Sequence, residues 1–315
     1  MLKKSFLRLI GLLIFAYILS RVDWERMGNV LKGMEIGWIL LAFFLNLPQL
    51  WFKAMRWWVL MRQQGLHAGK RKVFLYYLSA VFMGVVTPGR LGELAKTIYL
   101  KQNGITTLAH GFSSVVVDRL CDLYLLFLLG AVGIGVLVPW KHSFLIGGGV
   151  FITVLASGVF LLLVLKGKGM VYKSYVAPRL PASVKEHLKE FNRGLADILG
   201  EILGIAMIFT VCSYAIYFFQ CYLIAKALSI PLSYGAIVPV MALTNLFSFL
   251  PISVSGLGTR DAALLFLLTP RGIPSEVIIA FSLGILVVFF VGGGLLGMIA
   301  WWMEPVSLKT GKMKR

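Results

Sequence analysis

The sequence predicts an all-α polytopic membrane protein with about six spans and two re-entrant helical hairpins. They form an inverted repeat within a single integral membrane domain covering 1–315. Three observations carry this prediction. First, the chain is 59% hydrophobic and only 14% charged, with a mean hydropathy of +0.86. A soluble domain carries about a quarter charged residues, so most of this surface must face lipid or other helices. Second, basic residues gather between apolar runs, on alternating sides. Third, two long apolar regions are broken near their middles by proline and glycine.

The spans fall at about 5–22, 36–52, 115–138, 143–165, 202–228 and 276–300. The first two are short against the roughly 20 residues that a crossing needs. The opening "MLKKSFLRLIGLLIFAYILS" has the basic start and apolar core of a signal peptide. No small-x-small cleavage site follows it, so it is read as a retained first helix.

Lysine and arginine set the orientation. Lys3, Lys4 and Arg8 open the chain, and Lys53, Arg56, Arg62, Lys70, Arg71 and Lys72 fill 53–72. Further basic residues crowd 166–201, and Lys309, Lys312, Lys314 and Arg315 end the chain. The positive-inside rule places these four segments, and both termini, on the cytoplasmic side of a prokaryotic inner membrane. Loops 21–35, 139–142 and 229–233 then lie outside.

With those sides fixed, 73–101 enters from the cytoplasm and returns to it, and 234–268 does the same from outside. At about 1.5 Å per residue, neither limb of 73–101 crosses a core of about 30 Å. The breaks fall at Pro88-Gly89 and in "PISVSGLG", from Pro251 through Gly256 to Gly258, where the two residue types that interrupt helices are concentrated. Residues 36–138 and 202–300 then form two units of opposite orientation. Their tips, "PGRLGE" and "SGLGTRD", resemble each other. Transporters built from inverted repeats place their sites at such broken helices. Between the units, 183–202 carries Val184, Leu188, Phe191, Leu195 and Leu199 on one face, with Ser183 and Glu186 at capping-box spacing. It reads as an amphipathic helix on the cytoplasmic interface, with a solvated linker helix as the alternative.

Composition also excludes several classes. The net charge of +18 is spread between apolar runs, with no basic stripe interleaved with stacking aromatics, so nucleic acid is not the partner. Cys121, Cys212 and Cys221 sit inside apolar runs and read as core filling. The four histidines form no zinc motif, and there is no phosphate-binding Walker loop. No metal, cofactor or catalytic group is expected. Gly293 and Gly297 have small-xxx-small spacing, which reads as packing within one chain.

Chemistry is concentrated in eight charges at membrane depth: Arg90, Lys96, Arg119 and Arg260 against Glu93, Asp118, Asp122 and Asp261. An ionised side chain there costs about 2.5–3.5 kcal/mol on insertion scales, so such groups must pair or line a wet cavity. Arg90, Glu93 and Lys96 recur every three residues and share a helix face, and Asp118 and Asp122 are four apart. Arg90 opens a new helix after Pro88-Gly89, and a helix start plus a guanidinium suits a phosphate. Gly258 and Arg260 repeat the pattern. The acids would balance these cations, receive an amine or carry protons. Pairing that only staples the fold is the alternative.

The motifs "TPGRLGELAK" (87–96), "VDRLCDL" (117–123) and "LPISVSGLGTRD" (250–261) together resemble the flippase-like membrane proteins that match the transmembrane region of lysylphosphatidylglycerol synthases. The resemblance spans nearly the whole chain. The family's last motif more usually has a Pro-Gly-Gly element and ends Arg-Glu; here Ser255 precedes Gly256, and Asp261 stands in place of the glutamate. The resemblance implies lipid translocation across the cytoplasmic membrane. In the fused synthases a soluble domain makes aminoacyl lipid and the membrane part flips it. This chain ends at Arg315, just after the last span, so aminoacyl transfer is not expected and a separate lipid-modifying enzyme is a possible partner. Two other readings use the same residues: an ion-coupled carrier of a small anion, and a non-transporting accessory protein of envelope lipid synthesis.

Overall fold

The computed structural model describes residues 23–87, 92–137, 181–198, 202–248 and 258–305, together with Tyr17 and Ser20. The expected span 143–165, nearly all of the span 5–22, the breaks Pro88, Gly89, Pro251 and Gly256, and Arg90 lie outside the described residues. So does the basic tail.

Every element among the described residues is helical. In chain order they are α1 (Trp24–Lys32), α2 (Ile36–Phe44), α3 (Asn46–Gln63), α4 (Lys70–Val86), α5 (Ala95–Gln102), α6 (Leu108–Leu137) and α7 (Ala182–Ile198). There follow α8 (Ile202–Ala227), α9 (Tyr234–Ser248), α10 (Thr259–Leu268), α11 (Ser275–Ile285) and α12 (Gly293–Met303). A π-helical stretch, Leu286–Gly292, joins the last two. Three runs among the described residues are long and apolar enough to cross a membrane: Ile36–Gln63, Ile202–Ala227 and Ser275–Met303. The protein is therefore a multi-pass α-helical membrane protein.

The first of these runs corrects the sequence reading. The span expected at 36–52 continues to Gln63 over 28 residues, interrupted only at Leu45, so 53–63 is helix as well. The physical reason is charge pairing. Lys53 and Arg56 lower the local hydropathy, but acids on α6 answer them, so the helix continues through them. The turn that remains is 64–69.

The two broken regions have short limbs, as expected. In the first, α4 has 17 residues and α5 has 8; in the second, α9 has 15 and α10 has 10. At about 1.5 Å per residue, none spans a 30 Å core. Among the described residues of its returning limb, Gly92–Leu94 form a single 3-10 turn before α5.

Packing is reciprocal between the two halves. α3 lies along α8, α4 along α12, and α6 along α9. Gly297 lets α4 and α12 touch, since a Cβ there would stand 2.4 Å from the Leu78 carbonyl oxygen. This small-residue contact lies within one chain. The largest core cluster gathers Cys221, Ile224, Met241, Leu264 and Phe281. A second surrounds Trp57, Tyr76, Tyr77 and Tyr99, and the Tyr76 and Tyr99 rings stack at 4.6 Å. Beside the π stretch, Asn46 at the head of α3 donates its Nδ2 to Val288 O at 2.7 Å.

The amphipathic helix is present as α7 but begins earlier than its capping signal. Val184 and Lys185 donate to Pro181 O, which puts Ser183 inside the first turn. α7 also docks on protein. Leu195 and Ile198 are buried against α3, α6 and α8, and Gln64 Nε2 donates to Gly194 O at 3.0 Å.

Candidate functional site

The site begins with a polar stripe on α3. Asn46, Gln49, Lys53 and Arg56 recur at spacings of three and four and share one face of an otherwise apolar helix. Arg56 is fully buried at its centre. Its Nε donates to Asp118 Oδ1 at 2.7 Å and its NH1 to Asp122 Oδ1 at 2.7 Å; NH1 also reaches Thr210 Oγ1 on α8 at 3.1 Å. One guanidinium thus holds both carboxylates of α6, whose i,i+4 spacing turns them the same way. Lys96, at the start of α5, completes Asp118 from the other side, Nζ to Oδ2, at 2.7 Å. Arg56, Lys96, Asp118 and Asp122 are all fully buried, and their charges cancel. A buried pair survives only when geometry this close offsets desolvation.

A second layer faces outward from this core. Arg119 contacts Glu93 and lies 3.7 Å from Asp122 Oδ2. Lys53 Nζ lies 3.6 Å from Asp122 Oδ1 and 4.7 Å from the centre of the Tyr214 ring. Glu93 is held by close packing, since a Cβ on Gly84 would fall 2.8 Å from its Cγ. The turn before it is tight as well. Thr87 Oγ1 accepts from Gly92 N at 2.6 Å, and a Cβ on Gly92 would meet Met83 O at 2.1 Å.

The second broken region is built differently. Gly258, at φ +83°, turns the chain into α10 in a conformation that favours glycine. Asp261 Oδ2 accepts from Gly258 N at 2.7 Å, so the chain's own acid caps this helix start. The side chain of Arg260 is engaged as well: its Nε donates to Ser282 Oγ at 2.9 Å, and Ser282 in turn donates to Asp261 Oδ1. Arg260 NH2 lies 3.8 Å from the same carboxylate oxygen.

Both regions face one cavity of about 120 Å³. That is room for roughly eight to ten waters or one small polar group. Charged groups line it from both halves: Lys53, Glu93, Arg119 and Asp122 from the first, Arg260 from the second. Asn46, Gln49, Asn245 and Ser248 add polar wall, and Tyr77, Tyr214, Tyr217, Phe289 and Phe290 add aromatic wall. Tyr217 donates its hydroxyl to Asn245 Oδ1 at 3.1 Å. Among the described residues, no group of three or more His, Cys, Asp or Glu side chains is gathered for a metal ion.

Of the eight charges singled out in the sequence, Glu93, Arg119, Asp122 and Arg260 reach the cavity. Lys96, Asp118 and Asp261 sit behind it, and Arg90 is outside the described residues. Arg119 bridges Glu93 and Asp122. Sequence reasoning missed Lys53 and Arg56 by ending the span at 52 and counting both with the basic segment 53–72. The signal that finds them is the 46-49-53-56 stripe, a helical polar face that runs past the first lysine.

A family model described as the lysylphosphatidylglycerol synthase TM region matches residues 7–297. A UPF0104 membrane protein of Methanocaldococcus jannaschii is 24% identical over 332 residues, covering 98% of each chain. Two UPF0104 membrane proteins of Methanothermobacter thermautotrophicus are each 24% identical. One match covers 82% of this chain and 81% of the relative, the other 87% and 88%.

Proposed function

Because the chain belongs to the lysylphosphatidylglycerol synthase TM-region family, we propose that it is a lipid translocase. It moves a phosphate-bearing or otherwise polar-headed lipid across the cytoplasmic membrane of a prokaryote. The observation that carries this reading is the cavity between the two broken helical regions, lined by Lys53 and Arg119 from one half and Arg260 from the other. A cation-rich, aromatic-walled cavity in a lipid-embedded bundle suits a headgroup whose tails stay in the bilayer.

The packing supports an inverted repeat. α4 of the first unit lies on α12 of the second, α9 of the second lies on α6 of the first, and α3 and α8 pair with each other. A two-fold exchange of units produces that pattern. The short limbs α4–α5 and α9–α10 then act as re-entrant hairpins entering from opposite sides, with both termini cytoplasmic. The protein performs no covalent chemistry: it flips a lipid supplied or consumed by a separate lipid-modifying enzyme, downhill or coupled to an ion.

Reconstitution tests this. Purified protein in vesicles, with a panel of labelled phospholipids, is compared with Arg260→Ala and with Arg90→Ala, the replacement that the sequence motif singles out. The expected result is protein-dependent crossing of at least one lipid, lost in Arg260→Ala. Equal crossing in the variants would remove the cavity from the route.

A further inference from the structure

The cavity wall carries uncharged hydrogen-bonding groups beside its ions. Buried glutamines elsewhere act as staples. Gln64 Nε2 donates to Ser113 Oγ at 2.6 Å and to Gly194 O at 3.0 Å, and Gln220 Nε2 donates to Ala42 O at 2.8 Å. Gln49 is also buried, only 6% exposed, yet its side-chain amide has no hydrogen-bond partner among the described residues. Its backbone is fixed, since its carbonyl accepts from Ser213 Oγ at 3.2 Å. The side chain lines the cavity between Asn46 and Lys53 on the α3 stripe. A buried amide that bonds nothing is costly, so its donor and acceptor call for an occupant of the cavity.

Asn245 lines the same space from α9. Its Oδ1 accepts from the Tyr217 hydroxyl at 3.1 Å, which leaves Nδ2 as a donor without a partner among the described residues.

Resting on the translocase reading, we propose that the lipid carried has a polyol headgroup and that Gln49 binds its hydroxyls. An amide presents a donor and an acceptor together, and a hydroxyl has both as well, so the two pair in either sense. A phosphate ester oxygen only accepts, and an ammonium only donates. The cations of the wall meet the same phosphate in every phosphodiester lipid, so they do not tell such lipids apart. Hydroxyls do, because a lipid that lacks them leaves the Gln49 amide buried and unpaired. Tyr217 and Phe289, whose ring centres lie 4.8 Å apart, give the carbon side of a polyol an apolar wall. A small polyol fits the 120 Å³ of the cavity.

The test uses the full chain in phosphatidylcholine vesicles with two tail-labelled lipids, phosphatidylglycerol and phosphatidylpropanol. The two headgroups match in carbon count and charge, and only the first has hydroxyls. The wild type should move phosphatidylglycerol faster by about tenfold, the size of one or two neutral hydrogen bonds. Gln49→Met keeps the length of the side chain and removes the amide, and should shrink the ratio to about twofold or less. General damage slows both lipids alike, so a changed ratio isolates hydroxyl recognition. Equal protein-dependent rates in the wild type would mean that Gln49 holds only cavity water; they overturn the proposal and leave the translocase reading standing. A Gln49→Met variant with the wild-type ratio also overturns it. Should Gln49→Met fail to assemble, the wild-type ratio decides. If neither lipid crosses faster than in protein-free vesicles, the translocase reading itself falls, and the polyol assignment with it.

Discussion

The two broken regions solve the same problem in different ways. In the first, the charges are tied across several helices: Arg56 on α3, Lys96 on α5, and Asp118 and Asp122 on α6. In the second, Asp261 caps its own helix and Arg260 leans on Ser282 of α11. The first arrangement joins distant parts of the chain, so its loss should disturb the whole bundle. The second is mostly local, so its loss should be smaller. Both leave a cation on the cavity wall, which suggests that the cavity is the shared requirement and the supporting chemistry is free to vary.

Three stability measurements on purified protein sharpen that contrast. Arg56→Ala should be the most damaging, at about 3–5 kcal/mol, because two buried carboxylates lose their shared partner. Thermal unfolding in detergent should show a large drop or a failure to accumulate, and a near-normal midpoint would break the account of the first half. Ser282→Ala removes one acceptor from Arg260 and one donor from Asp261, and should cost about 1–3 kcal/mol. Asp261→Glu keeps the charge beside Arg260 but moves the acceptor off Gly258 N, and should cost about 0.5–2 kcal/mol. If these second-half changes matched Arg56→Ala, the difference between the halves would disappear.

Much of this was readable in the sequence because membrane burial makes charges conspicuous. Asp118 and Asp122 stand out as an i,i+4 pair in an apolar run, and Glu93 and Lys96 as charges just past a Pro-Gly break. The short limbs followed from counting residues against bilayer thickness. Arg56 and Lys53 were harder to place, since hydropathy ends a span at its first charge. What extends α3 past them is pairing with acids more than sixty residues away, and a window along the chain cannot register that. The cap at Gly258 was likewise hidden: Asp261 could face a ligand or its own backbone, and only the left-handed turn at Gly258 decides between them.

A bulky side chain placed in the cavity tests the route of the headgroup. Ser248 lines the cavity from α9 and carries none of its charges. Ser248→Trp should fill much of the 120 Å³ and cut protein-dependent lipid crossing in vesicles by about tenfold or more, with the unfolding midpoint little changed. Unchanged crossing in a correctly folded Ser248→Trp protein would mean that the headgroup passes elsewhere, and the cavity between the two broken helices would lose its assigned role.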